Sequence, residues 1–266
     1  MRQKVKIILS RKGFDTANGA CPSPIMPNGV LLSLPIPSED TLTYADIAHQ
    51  GLTYDQLLRQ LNPKEQYYGC HLDPDIDPRL RLAMPSHWQP AFGQIGSAQG
   101  QLRNHGVDAD DLFLFFGWFR HVQQANDGRF HYARGVQDLH VVFGYLQVER
   151  VLAQSEEVAK YPWHPHADAR RRCNKNNALY LARKTLTFDE SKPGCGILNF
   201  SERRVLTMQK HSKATWQEIP ALMPENIASN RKNSASGQGI YYKGIWQEMV
   251  LKENSESEEW AKSILL

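Results

Sequence analysis

The chain has 266 residues, 41% of them hydrophobic and 22% charged, with 31 basic and 28 acidic side chains and a net charge of +3. That composition is ordinary for a soluble globular domain and excludes a fibrous or disordered chain. A balance so close to neutral does not by itself argue for nucleic-acid binding, and no apolar stretch approaches the length that crosses a bilayer.

In chain order, Val5 to Leu9 reads as a short buried strand. It ends at Ser10 and delivers Arg11, Lys12, Gly13, Phe14 and Asp15 to its exit. Cations there can hold a phosphate or carboxylate, with Arg binding bidentately, Gly13 permits a tight turn beside a ligand, and Asp15 can serve as a base. Composition alone favours a solvated turn with a surface ion pair. No signal-peptide pattern begins the sequence, so a cytoplasmic protein is expected. Cys21, Cys70, Cys173 and Cys195 form no CxxC pair, which argues against a zinc ribbon and for free thiols.

Ser23 stands between two prolines in stiff, extended backbone, suited to presenting a hydroxyl. Pro27-Asn28-Gly29 marks a turn before a second strand, Val30 to Pro37. Thr53 and Gln56 form a capping-box pattern ahead of Leu57, Leu58 and Leu61, and Asn62-Pro63 stops that helix. Residues 62–106 are rich in Pro, Gly, His and Asp and read as a long functional loop region. Within it, Cys70, His71, Asp73, Asp75 and Asp77 crowd together. His and carboxylates at alternating positions can hold a metal, but the Asp-Pro pairs also favour turns. A catalytic or ligand-binding His71 with Asp73 ranks above a metal, and no metal site is assigned.

Asp111 to Val122 and Asp138 to Leu152 echo one another, each with an apolar run and a Phe-Gly-aromatic step at Gly117 and Gly144. They read as two long strands joined by a hairpin at Asp127-Gly128, with the glycines marking a bend or bulge. His164 and His166 follow Tyr161 and Trp163 and precede Arg170, Arg171 and Arg172. Extended backbone would point both histidines one way, and aromatics beside arginines suit base stacking and phosphate contact. Two histidines with one further ligand could instead hold a metal, and a basic surface loop is the plain alternative. Asn177 to Phe188 and Gly196 to Thr207 read as further strands, residues 229–239 as a flexible loop, and Ser255 to Ile264 as a terminal helix.

The expected fold is α+β: a single domain over 1–266 with a curved, largely antiparallel sheet or partial barrel and a few short helices. Taken in order, SRKGFD, PSPI, SLPIP, DLFLFFGWFR, FGYLQV and HPH resemble the nucleotide modification associated domain family, type three. The motif positions matched are Arg11, Lys12, Gly13, Phe14, Asp15, Pro22, Ser23, Pro24, Gly117, Trp118, Arg120, His164 and His166. Ala20-Cys21 departs from the motif, where glycine or a small residue is expected, and this weakens any role for the thiol.

The resemblance implies a DNA base modification system and a nucleotide or DNA partner, together with other proteins of such a system and no membrane. It implies no settled reaction or cofactor. The leading expectation is an enzyme acting on a nucleobase or nucleotide, with Asp15, Lys12 and His71 catalytic. Arg11, Gly13, Phe14, Ser23, Asp73, Trp118, Arg120, His164, His166 and Arg170 would bind substrate. A non-catalytic reader, with Trp118, Tyr145 and Trp163 stacking on a modified base, and a scaffold of a modification or restriction complex are the alternatives.

Overall fold

A computed structural model describes residues 5–229, 234–235 and 239–266. Its main sheet has nine strands: β1 (Ile7–Arg11), β2 (Ser23–Ile25), β3 (Ala91–Ile95), β4 (Leu112–Gln124), β5 (Phe130–Tyr132), β6 (Leu139–Leu152), β7 (Asn177–Ala182), β8 (Cys195–Ile197) and β9 (Glu248–Val250). The spatial order is β9-β1-β4-β6-β7-β3, with β2 and β5 added to β4 and β8 to β6. Only β1 and β2 run parallel to β4. The sheet curls into a half-barrel, and strands take up 33% of the chain against 20% for helices. The α+β, partly barrelled architecture therefore matches the expectation.

Alternation along β1 and β4 decides which way each side chain faces. Ile8, Phe113 and Phe115 join Phe92, Phe143 and Tyr180 inside the curl. Ile7, Leu9, Leu114 and Phe116 face the other way, onto Trp216, Met249 and the terminal helix. Both faces are covered, so β4 reads as a continuous apolar run rather than an alternating one. Each of these side chains contributes about 1.5–3 kcal/mol by leaving water.

The hairpin expectation needs refinement. The Asp127-Gly128 turn joins β4 to short β5, with Gln124 opposite Phe130. The long strand β6 then returns antiparallel to β4, from Leu139 opposite Phe119 to Gln147 opposite Leu112. The register shifts between Val142 and Gly144, so a bulge does fall at the second shared glycine. Gly117 has a different reason: a Cβ there would lie 2.8 Å from the Lys12 carbonyl oxygen. Its bareness lets the exit turn of β1 lie flat on β4, where the Lys12 N–H donates to Phe116 O at 2.8 Å.

Helix α1 (Tyr54–Leu61) has the expected box, with the Thr53 N–H donating to Gln56 Oε1 at 3.2 Å. Leu57, Leu58 and Leu61 pack with Phe14 and Tyr44. The loop reading of 62–106 missed β3 and α2 (Gly96–Asn104). AFGQI lacks alternation, and α2 buries only Ala98, Gln99 and Leu102, so neither carries a strong periodic signal. The expected strand over Val30 to Pro37 shrinks to isolated bridges and a two-residue ribbon, Ile36–Pro37 against Cys70–His71. Strand β7 ends at Ala182, and Gly196 to Thr207 is strand only in its first residues. The terminal helix is present over Ser255–Leu265. Of the expected loop at 229–239, Ser229 is buried, Ser234–Ala235 is strand and Gly239 is a buried bend at φ +95°, and residues 230–233 and 236–238 lie outside the described residues. All four cysteines are free. Ala20, the departure from the motif, sits at φ +56°, a conformation that glycine adopts more readily. Among the described residues no helix is long and apolar enough to cross a membrane.

Candidate active site: a buried lysine among carboxylates and imidazoles

At the exit of β1 the chain places polar groups inside the fold. Ser10 lies opposite Glu248 of β9, and its hydroxyl donates to Glu248 Oε1 at 2.9 Å. Gln94 of β3 donates to the same oxygen at 2.5 Å. Lys12 extends over the Phe92 ring, with Nζ 4.2 Å from its centroid. The ammonium lies 3.7 Å from Glu248 Oε1 and 3.6 Å from Asp73 Oδ2. Both carboxylates are buried and the lysine nearly so. Ion pairs held this far from water cost desolvation that folding alone does not require, and they are characteristic of functional sites.

Asp73 links this lysine to three histidines. Its Oδ1 accepts the Gly93 N–H at 2.7 Å and lies 3.5 Å from His164 Nε2, while Oδ2 lies 3.9 Å from His166 Nε2. Hydrogen bonds set each ring's tautomer. His166 Nδ1 meets Asn177 Oδ1 at 2.7 Å, and the Asn177 amide donates back to His166 O, so Nδ1 carries the proton. His164 Nδ1 accepts the His166 N–H at 3.2 Å, so its proton is on Nε2, toward Asp73. His71 Nδ1 meets Asp40 Oδ2 at 2.9 Å, and Arg171 grips both oxygens of Asp40. The rings of His71 and His166 lie 5.3 Å apart. His166 packs flat on β3, where a Cβ on Gly93 would come within 2.3–2.8 Å of its ring.

Burial alone would raise the Asp73 carboxyl, but the Lys12 ammonium and the facing His164 imidazole hold it well below the usual carboxylate range. Asp40 behaves alike: burial would raise it, and His71 and Arg171 hold it low. Burial pushes Glu248 up against the pull of Lys12, and its Oε2 has no hydrogen-bond partner. One lysine thus serves two carboxylates that the interior shifts in opposite directions. Burial takes His166 down to about 3, so its imidazole is neutral at physiological pH.

A cleft of about 480 Å³ adjoins the cluster. Gly13, at φ +78°, lines it together with Ser33, Leu72, Asp73 and Pro74, so Asp73 belongs to both cleft and cluster.

Of the residues singled out from the sequence, Lys12, His71, Asp73, His164 and His166 converge here, and Gly13 lies on the cleft wall. The others do not join them. Asp15 Oδ1 accepts the N–H groups of Ala17 and Asn18, capping its own turn, and Asp15 pairs with Arg11 at 3.4 Å. Phe14 is core, against Tyr44 and Tyr67. Ser23 Oγ accepts the Leu34 N–H inside the fold. Trp118 lies under Lys213, Arg120 pairs with Asp138, and exposed Arg170 pairs with Asp168 and Glu39. Tyr145 and Trp163, offered with Trp118 as stacking platforms, belong to different packing clusters. Sequence reasoning missed Ser10, Asp40, Gln94 and Glu248 as site residues. The only hint for Glu248 is a carboxylate at a strand position whose neighbours Met249 and Val250 are apolar.

A family model for nucleotide modification associated domain 3 matches residues 6–259. The chain belongs to that family. The match spans nearly the whole chain, so the β1 exit, the histidine pair and Glu248 all lie within the domain. The family's name ties it to nucleotide modification systems. No curated protein and no solved structure matches the chain.

Proposed function

We propose that this protein is an enzyme of a base modification system, acting on a nucleobase or nucleotide bound in the cleft beside Asp73. The observation that carries this reading is the convergence of Lys12, Glu248 and three imidazoles around Asp73, which itself lines a cleft of about 480 Å³. A cavity of that size suits one nucleotide or one base flipped out of a duplex. Lys12 is the catalytic residue: its ammonium lies 3.6 Å from Asp73, which lines the cleft. Ionised Asp73 fixes it in place. Glu248 lies behind it, where burial favours the protonated carboxyl, and is placed to return a proton passed to substrate. Nucleotide or DNA is the partner, and neighbouring enzymes of the system supply or consume the product.

The test is mass spectrometry of nucleosides from the DNA of cells that carry the neighbouring genes and make wild-type protein, Lys12→Met or Glu248→Gln. A modified nucleoside should appear with wild type and be lost with either variant, while circular dichroism shows both folded. An unchanged nucleoside profile in folded Lys12→Met overturns the reading. If that variant and the wild type then bind modified DNA equally, the protein is a reader of the base.

A further inference from the structure

We propose that His71, Asp73 and His166 form a three-ligand site for a divalent first-row transition ion. This rests on the enzyme reading only for the ion's use, not for its binding. One donor atom from each residue lies within 4.8 Å of the other two. Metal bonds to imidazole nitrogen and carboxylate oxygen are about 2.0–2.2 Å, so ligand atoms around one ion stand roughly 3–4 Å apart. Closing the set asks for side-chain shifts of about 1 Å.

The hydrogen bonds around the three residues aim their lone pairs. Asp40 and Asn177 take the Nδ1 protons of His71 and His166, so in the neutral form of each ring the lone pair is on Nε2. A carboxylate or amide holding the far nitrogen is the usual support for a ligating histidine. Arg171 grips both oxygens of Asp40 and so anchors the His71 support. On Asp73, Oδ1 is occupied by the Gly93 N–H and faces the His164 proton, while the nearest charge to Oδ2 is Lys12 at 3.6 Å. Oδ2 is therefore the ligand atom. His164 does not ligate in this tautomer; it is a positioning residue that turns Asp73 toward the ion.

Two imidazoles and one carboxylate select a first-row transition ion over calcium or magnesium, which prefer all-oxygen sites. Three protein ligands leave positions open, as in catalytic zinc and non-haem iron(II) centres. Asp73 also lines the cleft, so a bound nucleotide would meet the ion there. Cys70, next to His71 in sequence, is buried in the core around α1 and does not contribute. The sequence reading ranked a metal lower because the Asp-Pro pairs also favour turns, and it left His71-Asp73 and His166 in separate clusters more than 90 residues apart.

The test is metal content and titration of the purified full chain. Protein isolated without chelator, under air and anaerobically, is analysed by elemental mass spectrometry. Chelator-stripped protein is then titrated with cobalt(II) and zinc(II), following the cobalt absorption spectrum and the ¹⁵N signals of the histidine side chains. One equivalent per chain is expected, with the Nε2 signals of two histidines moving and that of His140 unmoved. His71 is partly exposed, so His71→Ala should fold normally and bind cobalt at least 100-fold more weakly, and Arg171→Met should lose about 10-fold. Zinc under both conditions, or iron only in the anaerobic sample, identifies the ion. Wild type that binds neither cobalt nor zinc, or folded His71→Ala that binds as tightly as wild type, overturns the inference. Because binding is read without activity, a bound metal with an unchanged nucleoside profile in Lys12→Met would sink the enzyme reading and leave the site standing. The converse pair of results would do the reverse.

Discussion

Lys12 Nζ lies 3.7 Å from Glu248 Oε1 and 3.6 Å from Asp73 Oδ2, so one ammonium joins the first strand of the fold, the last strand of the main sheet and the Asp-Pro loop. The three residues are 61 and 175 positions apart along the chain (73 minus 12 and 248 minus 73). Removing the lysine leaves an ionised Asp73 in the interior without its cation, and breaking a buried pair from one side costs about 3 kcal/mol. Lys12→Met should therefore lose stability of that order in urea denaturation. Glu248→Gln should lose less than about 1 kcal/mol, because burial already opposes the charge on Glu248 and an amide can still accept from Ser10 and Gln94. Equal losses would show that Glu248 is ionised beside Lys12.

Gly93→Ala tests how His166 is seated. The added methyl would lie 2.3–2.8 Å from the His166 ring, with the backbone of β3 on its other side. The ring has to move, at a cost of about 1–3 kcal/mol for overpacking. Thermal melting should show that loss, and the ¹⁵N signals of His166 should shift. A variant with wild-type melting and unmoved signals would mean that this interface yields freely.

Acid stability should depend on His140, far from the cleft. It is 4% exposed, and the Trp216 Nε1–H donates to its Nδ1 at 3.0 Å. Burial, with Lys213 and Arg11 adding to it, takes the imidazole down to about 3. The unfolded chain protonates this group near pH 6.5, so between about 6.5 and 3 the unfolded state holds the extra proton. Its contribution to stability is complete above that window and is lost as pH falls through it, by up to about 1.4 kcal/mol per pH unit. Denaturation midpoints at pH 7, 6 and 5 should fall faster for wild type than for His140→Gln. Parallel curves would assign the acid sensitivity to other groups.

The cap of α1 gives a check on local structure. Thr53→Ala removes the capping hydroxyl at the start of the helix that carries Leu57, Leu58 and Leu61 into the core. The expected loss is about 1 kcal/mol, read as a lower urea midpoint with an unchanged slope. No change in nucleoside profile should accompany it, since Thr53 belongs neither to the cluster nor to the lining of the cleft.

What can be read from the chain alone is what is local. The capping box over 53–56 predicted α1 because its donor and acceptor lie three residues apart. The apolar runs of β4 and β6 and the bulge glycine Gly144 were legible for the same reason, as was membership of the family through motifs spread in order along the chain. The histidine pair and His71-Asp73 stood out because each is dense in chemistry over a few residues. Strand β3 and helix α2 were not legible, because their burial comes from partners β7 and the curled sheet rather than from a periodic pattern of their own.

The site as a unit was decided only in three dimensions. The sequence favoured Asp15, four residues from Arg11, and the fold turned its carboxylate back onto the N–H groups of its own turn. The place beside Lys12 went to Asp73 and Glu248, brought in by the cleft loop and by the antiparallel pairing of β1 with β9. Tautomers, too, were beyond reach of the sequence, since His71 owes its proton position to Asp40 and Arg171, 31 residues before it and 100 after it (71 minus 40 and 171 minus 71). Residue types and their near neighbours are written in the chain. The distances between charges, which set what those residues can do, exist only once the sheet has curled and excluded water from between them.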